Sequence, residues 1–401
     1  MKNPRQILAW CLYDFANSSY SAVVAAVVFP VYFSREIAHS PSEADLWWGM
    51  AISVSMALLA LTSPFMGGIS DLGGRRRFLF VLYTLLAVLS TSVIFMPHRG
   101  QILTAFFLIV IANFSTEGAV VFYNAYLKDM VPEDMRGRVS AWGFGLGYIG
   151  SVVSLLVALY LVGRGEYRLI GVFVSLFFLI FSLPAFFLLP RKDALSGLAV
   201  AGRKGIEIIM KTLRDALEEK KIRRFLISYF LYRDALNTVI VFASLYASTT
   251  LAFSQKELIW LFLLLQITAS AGTFIFALPT DRWGAWEVVF LSITVWVVLS
   301  IGAYFVNTRT TFWIIALIGG VFLGIIQSAS RALFCRFIPE GKEGEYFGIY
   351  ALAGKSSSVI GPALFGAISS YTGDQRNGIL MILAMFILGG VFLLGVKRHG
   401  I

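Results

Sequence analysis

The sequence predicts an all-α membrane protein of twelve transmembrane helices, arranged as two six-helix pseudo-repeats. Three observations predict this. Of 401 residues, 58% are hydrophobic and only 14% are charged, whereas a soluble domain carries about 25% charged residues. The mean hydropathy is +0.78, and 35 Phe, 9 Trp and 16 Tyr make the apolar mass bulky rather than low in complexity. Apolar windows of ~20 residues, the length that crosses a bilayer core, occur twelve times. Short motifs also recur between the two halves in the same order. A soluble enzyme with a single core is excluded by composition alone.

The first six windows cover 8–33, 46–70, 78–96, 101–127, 139–162 and 169–189. The opening run is too long for a secretory leader, contains Asp14 and Asn17 and lacks a small-residue cleavage site, so it is read as a span. The second six cover 225–251, 257–279, 287–306, 311–335, 346–371 and 377–396. These windows divide the chain into a bundle over 1–190, a linker over 191–224 and a second bundle over 225–401. Within the linker, Ile206, Ile209, Met210, Leu213 and Leu217 recur at helical spacing among Lys and Arg. That pattern reads as an amphipathic helix on the membrane surface, or else as a charged linker that partly coils.

Orientation follows from the basic residues. With the N-terminus inside, 23 Lys and Arg fall in cytoplasmic segments, seven on the other side and three within spans. Ten of the inner set lie between Arg191 and Arg224. The asymmetry predicts that both termini are cytoplasmic. It also accounts for the net charge of +10 without a nucleic-acid partner. Cys11 and Cys335 lie in or beside apolar runs, and His39, His98 and His399 are scattered. Neither set implies a disulfide framework or a metal site.

Three motifs are duplicated. Asp14 to Ser18 in the first span recurs as Asp234-Ala235-Leu236-Asn237-Thr238 in the seventh. Asp71-Leu72-Gly73-Gly74 after the second recurs weakly as Asp281-Arg282-Trp283-Gly284 after the eighth. Val131-Pro132-Glu133 with Gly137 and Gly147 recurs as Ile338-Pro339-Glu340 with Gly344 and Gly354. The offsets are 220, 210 and 207 residues. In transporters such repeats place the substrate near the midplane, between the halves.

The loop Gly67-x-x-x-Asp71-x-x-Gly74-Arg75-Arg76-Arg77 resembles the loop between spans 2 and 3 of the major facilitator superfamily. The resemblance implies a loop that serves conformational change. The position after Asp71, usually basic in that superfamily, is Leu72. Further segments are Trp10-Cys11-Leu12-Tyr13-Asp14-Phe15-Ala16-Asn17-Ser18, Phe122-Tyr123-Asn124-Ala125-Tyr126-Leu127, Gly147-Tyr148-Ile149-Gly150, Gln327-Ser328 with Ser330-Arg331, Phe347-Gly348 with Tyr350, and Gly354-Lys355 with Gly361-Pro362. Together they resemble the vacuolar amino-acid effluxer-like (autophagy-related) facilitators and their bacterial relatives. That resemblance implies secondary transport, amino-acid efflux from the vacuole being the role of the family's best-known member. It also implies a multi-pass location in the inner or plasma membrane of a bacterium.

Six ionisable residues fall inside the windows: Asp14, Glu117, Arg233, Asp234, Arg331 and Lys355. Each costs roughly 2.5–3.5 kcal/mol at a span centre unless it is paired, watered or functional. The first half carries only acids, and the second a net positive set. A zwitterion fits such a division, with its carboxylate at Arg331 or Lys355 and its ammonium at Asp14 or Glu117. The same charges can instead form interhelical pairs that lock one conformation, and the two readings are compatible. The expected substrate-binding set is Asp14, Asn17, Asn124, Asp234, Asn237, Gln327, Arg331 and Lys355. Glu117 and Asp14 are the expected proton-coupling carboxyls, and Gly67, Asp71, Gly74, Arg75 and Arg76 the conformational loop. Gly143, Gly145, Gly147 and Gly150 on one span, and Gly354, Gly361 and Gly366 on another, read as close-packing surfaces.

No nucleophile–base pair within a span, no metal set and no GxxxxGK[ST] phosphate loop occurs, so the reading is not an enzyme and not a nucleotide-driven pump. The expected function is secondary active transport of a small polar solute, an amino acid or related zwitterion, by alternating access with proton coupling. The expected partners are that solute, the bilayer and a proton or other coupling ion, with no cofactor. The alternatives are a carrier of another polar solute or a lysolipid, and a non-transporting sensor or scaffold on the same fold.

Overall fold

A computed structural model describes residues 4–130, 133–191, 194, 196–338 and 343–397. Val131, Pro132, Pro339 and Glu340 of the duplicated motif lie outside the described residues. The first helices are α1 (Pro4–Ile37), α2 (Pro41–Asp71), α3 (Arg76–Ser92), α4 (Ile102–Met130), α5 (Glu133–Gly163), α6 (Tyr167–Leu188) and α7 (Leu198–Glu218). They are followed by α8 (Lys220–Thr249), α9 (Gln255–Ile275), α10 (Ala277–Trp283), α11 (Ala285–Phe305), α12 (Arg309–Cys335), α13 (Glu343–Ser356), α14 (Ile360–Thr372) and α15 (Gln375–Lys397). The described residues contain no strand. Ten segments are long and apolar enough to cross a bilayer, and α3 and α9 complete the twelve spans. The eighth span continues into α10, and the eleventh is α13 plus α14. The expected amphipathic linker helix is α7.

Local chemistry fixes the helix ends. Pro41 occupies the first turn of α2, where a missing N–H costs nothing, and Ser40 Oγ accepts the Glu43 N–H at 3.2 Å. At the start of α9, Ser254 Oγ accepts the Glu257 N–H at 3.2 Å while Glu257 Oε2 accepts the Ser254 N–H at 2.7 Å, a reciprocal cap. Thr308 Oγ1 caps α12 through the Thr311 N–H at 3.2 Å. The turn after α2 uses Gly74 at φ +64°, a conformation that costs glycine little.

α1 departs from α-geometry. Tyr20–Val27 and Phe33–Ile37 are π-helical, with the Val28 N–H reaching back five residues to the Val23 carbonyl. π-Turns are rare and mostly short. This one is buried along most of its length: Tyr20, Val23, Val24, Val27 and Val28 are each at most 3% exposed.

The chain divides into two compact units, one of Met1–His39 with Val54–Ile208 and one of Ser40–Ser53 with Ile209–Ile401. In the first, α1 packs against α5 and α6, and α3 against α4 and α6. In the second, α8 packs against α13, α14 and α15, and α11 against α12 and α15. Spans 1, 3, 4, 5 and 6 thus have the same neighbours as spans 7, 9, 10, 11 and 12. This repetition is the structural form of the duplication read from the motifs. Large apolar side chains such as Leu61, Leu89, Phe187 and Phe305 are more than 60% exposed, as expected of surfaces that face lipid tails rather than water.

Close approach of backbones sets the tightest contacts. A Cβ on Gly143 would meet the Asp14 carboxylate and the Trp10 ring, one on Gly147 the Ser18 hydroxyl, and one on Gly150 the backbone of Phe15. Gly145, by contrast, has nothing within 4 Å of such an atom. Gly68 on α2 meets Gly205 on α7 backbone to backbone, so the start of the linker helix is docked on the first unit. Accordingly, Gly150→Ala should destabilise the protein by about 1–3 kcal/mol through overpacking. Gly145→Ala should be neutral or stabilising by roughly 0.5–1 kcal/mol through helix propensity. Thermal unfolding of the two purified variants checks the contrast.

Candidate functional site

The second unit contains a cleft with an empty volume of about 410 Å³. α8 contributes Tyr229, Tyr232, Arg233 and Leu236 to its wall, α12 contributes Ile326, Gln327, Ser330 and Arg331, and α13 contributes Tyr350. The spacing explains why these residues meet. Positions 229, 232, 233 and 236 fall on one face of a helix, as do 326, 327, 330 and 331. The Tyr229 and Tyr350 rings stack at 4.3 Å, and Tyr350 continues onto Phe334 at 5.0 Å. Tyr232 Oη and Ser330 Oγ are 2.7 Å apart. This frame fixes the aromatic side of the cleft.

The polar side carries two guanidinium groups and, among the described residues, no carboxylate. Arg233 Nε is buried with no hydrogen-bond partner among the described residues, and Arg331 is exposed to the cleft side of α12. Neither guanidinium forms an ion pair among the described residues, and the Ser330 hydroxyl and the Gln327 amide lie in the same wall. The fork of an arginine matches a carboxylate with two parallel hydrogen bonds.

The other expected residues lie elsewhere. Asp234 follows Arg233 in sequence but faces away from the cleft: its two oxygens accept the Gly361 N–H at 3.0 and 2.9 Å. Asn237 Nδ2 donates to Ser358 Oγ at 2.6 Å. Both hold the break between α13 and α14, where the backbone leaves the helical ladder. Lys355 sits in the last turn of α13, a favourable end for a cation, and is not part of the cleft wall. In the first unit, Asp14 lies beside Tyr123 and against Gly143. Trp10 stacks on Tyr123 at 4.5 Å and donates Nε1–H to its carbonyl at 3.1 Å. Asn17 is half-buried, with no partner for Oδ1 among the described residues. Glu117 on α4 is half-buried, within Coulombic reach of Tyr13 and Tyr20. Asn124, further along α4, is exposed. No group of three or more potential metal ligands occurs among the described residues.

The loop after α2 is organised by one buried cation. Arg76 is 3% exposed and pairs with both Asp71 and Asp129. It also donates to the Ala125 carbonyl at 3.2 Å and to Ser70 Oγ at 3.3 Å, and lies 5.3 Å over the Tyr126 ring. One guanidinium thereby ties the end of α2, the start of α3 and the end of α4. Arg75 beside it is exposed, and Gly67 has open space around it.

The sequence motifs point to Arg76 as a loop residue but not to its burial. Tyr229 and Ser330 were also missed, though helical spacing from Arg233 and Arg331 would have found them. Asp45, 1% exposed in α2, escaped notice because it lies one residue before the apolar window.

Arg76→Ala should therefore cost about 3 kcal/mol, the low end for a broken buried pair because Asp71 is half-exposed. Arg75→Ala should stay within about 0.5 kcal/mol of the parent. Chemical or thermal unfolding in detergent checks both.

Comparison with known proteins agrees with this architecture. Residues 49–400 match the family described as "Vacuole effluxer Atg22 like". The uncharacterized MFS-type transporter YxiO of Bacillus subtilis (strain 168) is 30% identical over 98% of this chain and 95% of its own length. Autophagy-related protein 22 of Vanderwaltozyma polyspora is 27% identical over 86% of this chain and 77% of its own. Among solved structures, the nucleoside transporter NupG aligns over 98% of both chains with a TM-score of 0.71 at 13% identity. The D-xylose-proton symporter aligns over 98% of this chain and 97% of its own, with a TM-score of 0.70 at 15% identity. Those structural likenesses carry the fold alone. The family match and the near-full-length relative carry membership: the chain belongs to the vacuole effluxer Atg22-like family of the major facilitator superfamily, and is a multi-pass membrane transporter rather than an enzyme.

Proposed function

We propose that the chain carries a small solute with an anionic group, an amino acid or related zwitterion, by alternating access driven by a proton gradient. The observation that carries this reading is the cleft of α8, α12 and α13, with Arg233 and Arg331 and, among the described residues, no acid in its wall. The buried Arg233 Nε has no hydrogen-bond partner among the described residues, which costs free energy, and a substrate carboxylate relieves that cost. Arg331 and Gln327 grip the carboxylate, and the Tyr229–Tyr350 stack supports the apolar part of the solute. Asp14, Asn17 and Asn124, expected from the sequence to bind the substrate, belong to the first unit and are not in the wall of this cleft. Lys355 contributes long-range attraction for the anion, while Asp234 and Asn237 act through the α13–α14 break. Glu117 and Asp14, the carboxyls of α4 and α1, carry the coupling proton.

The family is described by vacuolar efflux, and the structural neighbours are a nucleoside transporter and a sugar symporter. A neutral sugar or nucleoside does not need two guanidinium groups, so the charged solute is favoured. The basic asymmetry supports cytoplasmic termini, and the Bacillus relative supports a bacterial cell membrane.

Binding titrations of purified protein against amino acids, nucleosides and sugars test the site. Arg331→Lys should weaken binding of the anionic ligand at least about tenfold, or 1.4 kcal/mol, because a point charge replaces a bidentate fork. Lys355→Gln should cost less. Unchanged affinity in both variants with slowed turnover assigns these residues to a gate and ends the substrate-site reading. In proteoliposomes, Glu117→Gln or Asp14→Asn should abolish gradient-driven accumulation while leaving exchange.

A further inference from the structure

Residues Ser40–Ser53 belong to the second compact unit, and within them Asp45 is sealed. Ser369 Oγ on α14 donates to Asp45 Oδ2 at 2.5 Å, and Gln375 Nε2 on α15 donates to Oδ1 at 2.8 Å. The other end of the Gln375 amide, Oε1, lies 2.7 Å from Thr249 Oγ1 and 2.8 Å from Thr250 Oγ1. The helices around the carboxyl touch backbone to backbone. A Cβ on Gly366 would strike the Asp45 carbonyl, and one on Gly49 the carbonyl of Pro362. Trp48 Nε1 donates to the Val241 carbonyl at 3.2 Å. The seam between the first turns of α2 and α14 is therefore closed, with a carboxyl inside it.

Every hydrogen-bonding partner of that carboxyl is neutral, and it forms no ion pair among the described residues. The charged and titratable groups on the neighbouring elements are engaged or turned outward. Arg376 of α15 donates to the Val306 carbonyl at 2.9 Å and to Asn307 Oδ1 at 2.6 Å, and Asp374 accepts the Arg376 N–H at 2.9 Å. Tyr246 of α8 donates to the Ala303 carbonyl at 2.9 Å. Tyr371 of α14 is 93% exposed, and Glu43 of α2 is half-buried at its capped end. A carboxylate shut in with neutral donors and no cation is far costlier than a carboxylic acid in the same place.

We infer that Asp45 is a proton-binding site that governs this seam. Proton uptake from the non-cytoplasmic side favours the closed arrangement, and proton loss favours separation of α2 from α14. The sign follows from burial: protonation removes the charge that the seam penalises, so acid stabilises the state in which Asp45 is enclosed. The side of entry rests on the orientation and transport readings above. The chemistry of the seam does not depend on the substrate.

The test uses full-length protein in proteoliposomes without added solute. Spin labels are placed through Ser42→Cys and Tyr371→Cys, in a background carrying Cys11→Ala and Cys335→Ala. Pulsed electron spin resonance measures the distance between them in acid, at about pH 5.5, and in base, at about pH 8.5. One short-distance population is expected in acid, with a longer one growing several-fold in base. Asp45→Asn, a neutral isostere, should stay short at both values, and Asp45→Glu should keep the response. A parent protein that does not respond to pH overturns the assignment. So does an Asp45→Asn variant that responds like the parent or stays long throughout. Because no solute is present, failure of the anion-site reading leaves this result untouched, and the converse also holds.

Discussion

Inside hydrocarbon, a backbone amide has no water to turn to, so each must be bonded within its own helix or by a neighbour. That constraint governs the most irregular part of this protein. The eleventh span leaves the α-ladder between Ser356 and Ile360; Asp234 of α8 accepts the freed Gly361 N–H, and Asn237 bonds the Ser358 hydroxyl beside it. The polar residues of the seventh span thus divide by face. One face holds the broken helix, and the other, with Arg233, lines the cleft. A single turn of α8 therefore carries both a wall of the cleft and the side chains that bond at the break between α13 and α14.

The same economy appears in the first unit, with the charge reversed. There the buried cation Arg76 gathers two carboxylates and a carbonyl at the end of α4. This converts three helix ends into one rigid corner. Glycine contacts extend the rigidity: Gly143, Gly147 and Gly150 bring α5 onto α1, and Gly68 brings α7 onto α2. Small residues allow this approach because helix association in lipid relies on van der Waals contact rather than on expulsion of water.

The twelve spans and the duplication were legible because hydropathy and motif order are one-dimensional signals. The glycine face of α5 was legible except for Gly145, which points to open space. The site was half legible. Charge inside a span singled out Arg331 and Asp234, and polarity Gln327, but the sequence could not say which face of α8 each neighbour takes. Arg233 and Asp234, adjacent in the chain, end in different environments because successive helical positions are about 100° apart. Lys355 shared the charge signature yet sits at a helix end. Asp45 was invisible to a hydropathy window, since α2 begins five residues before that window and continues as one helix. Burial of a polar residue is a three-dimensional property, and no period in the sequence reports it.

The π-helical stretch of α1 has a consequence for how this first span is addressed. An i→i+5 ladder winds more residues into each turn than an α-ladder, so the helix changes phase between residue 20 and residue 27. Ahead of the change, Tyr13 meets Thr84 and Tyr123. Beyond it, Phe29 and Tyr32 meet Phe95, and Tyr32 also meets Tyr167. A heptad or 3.6-residue wheel drawn through the whole segment would assign the later residues to the wrong side. The extra winding acts as a stored rotation, which lets one continuous span present an inward face at both of its ends.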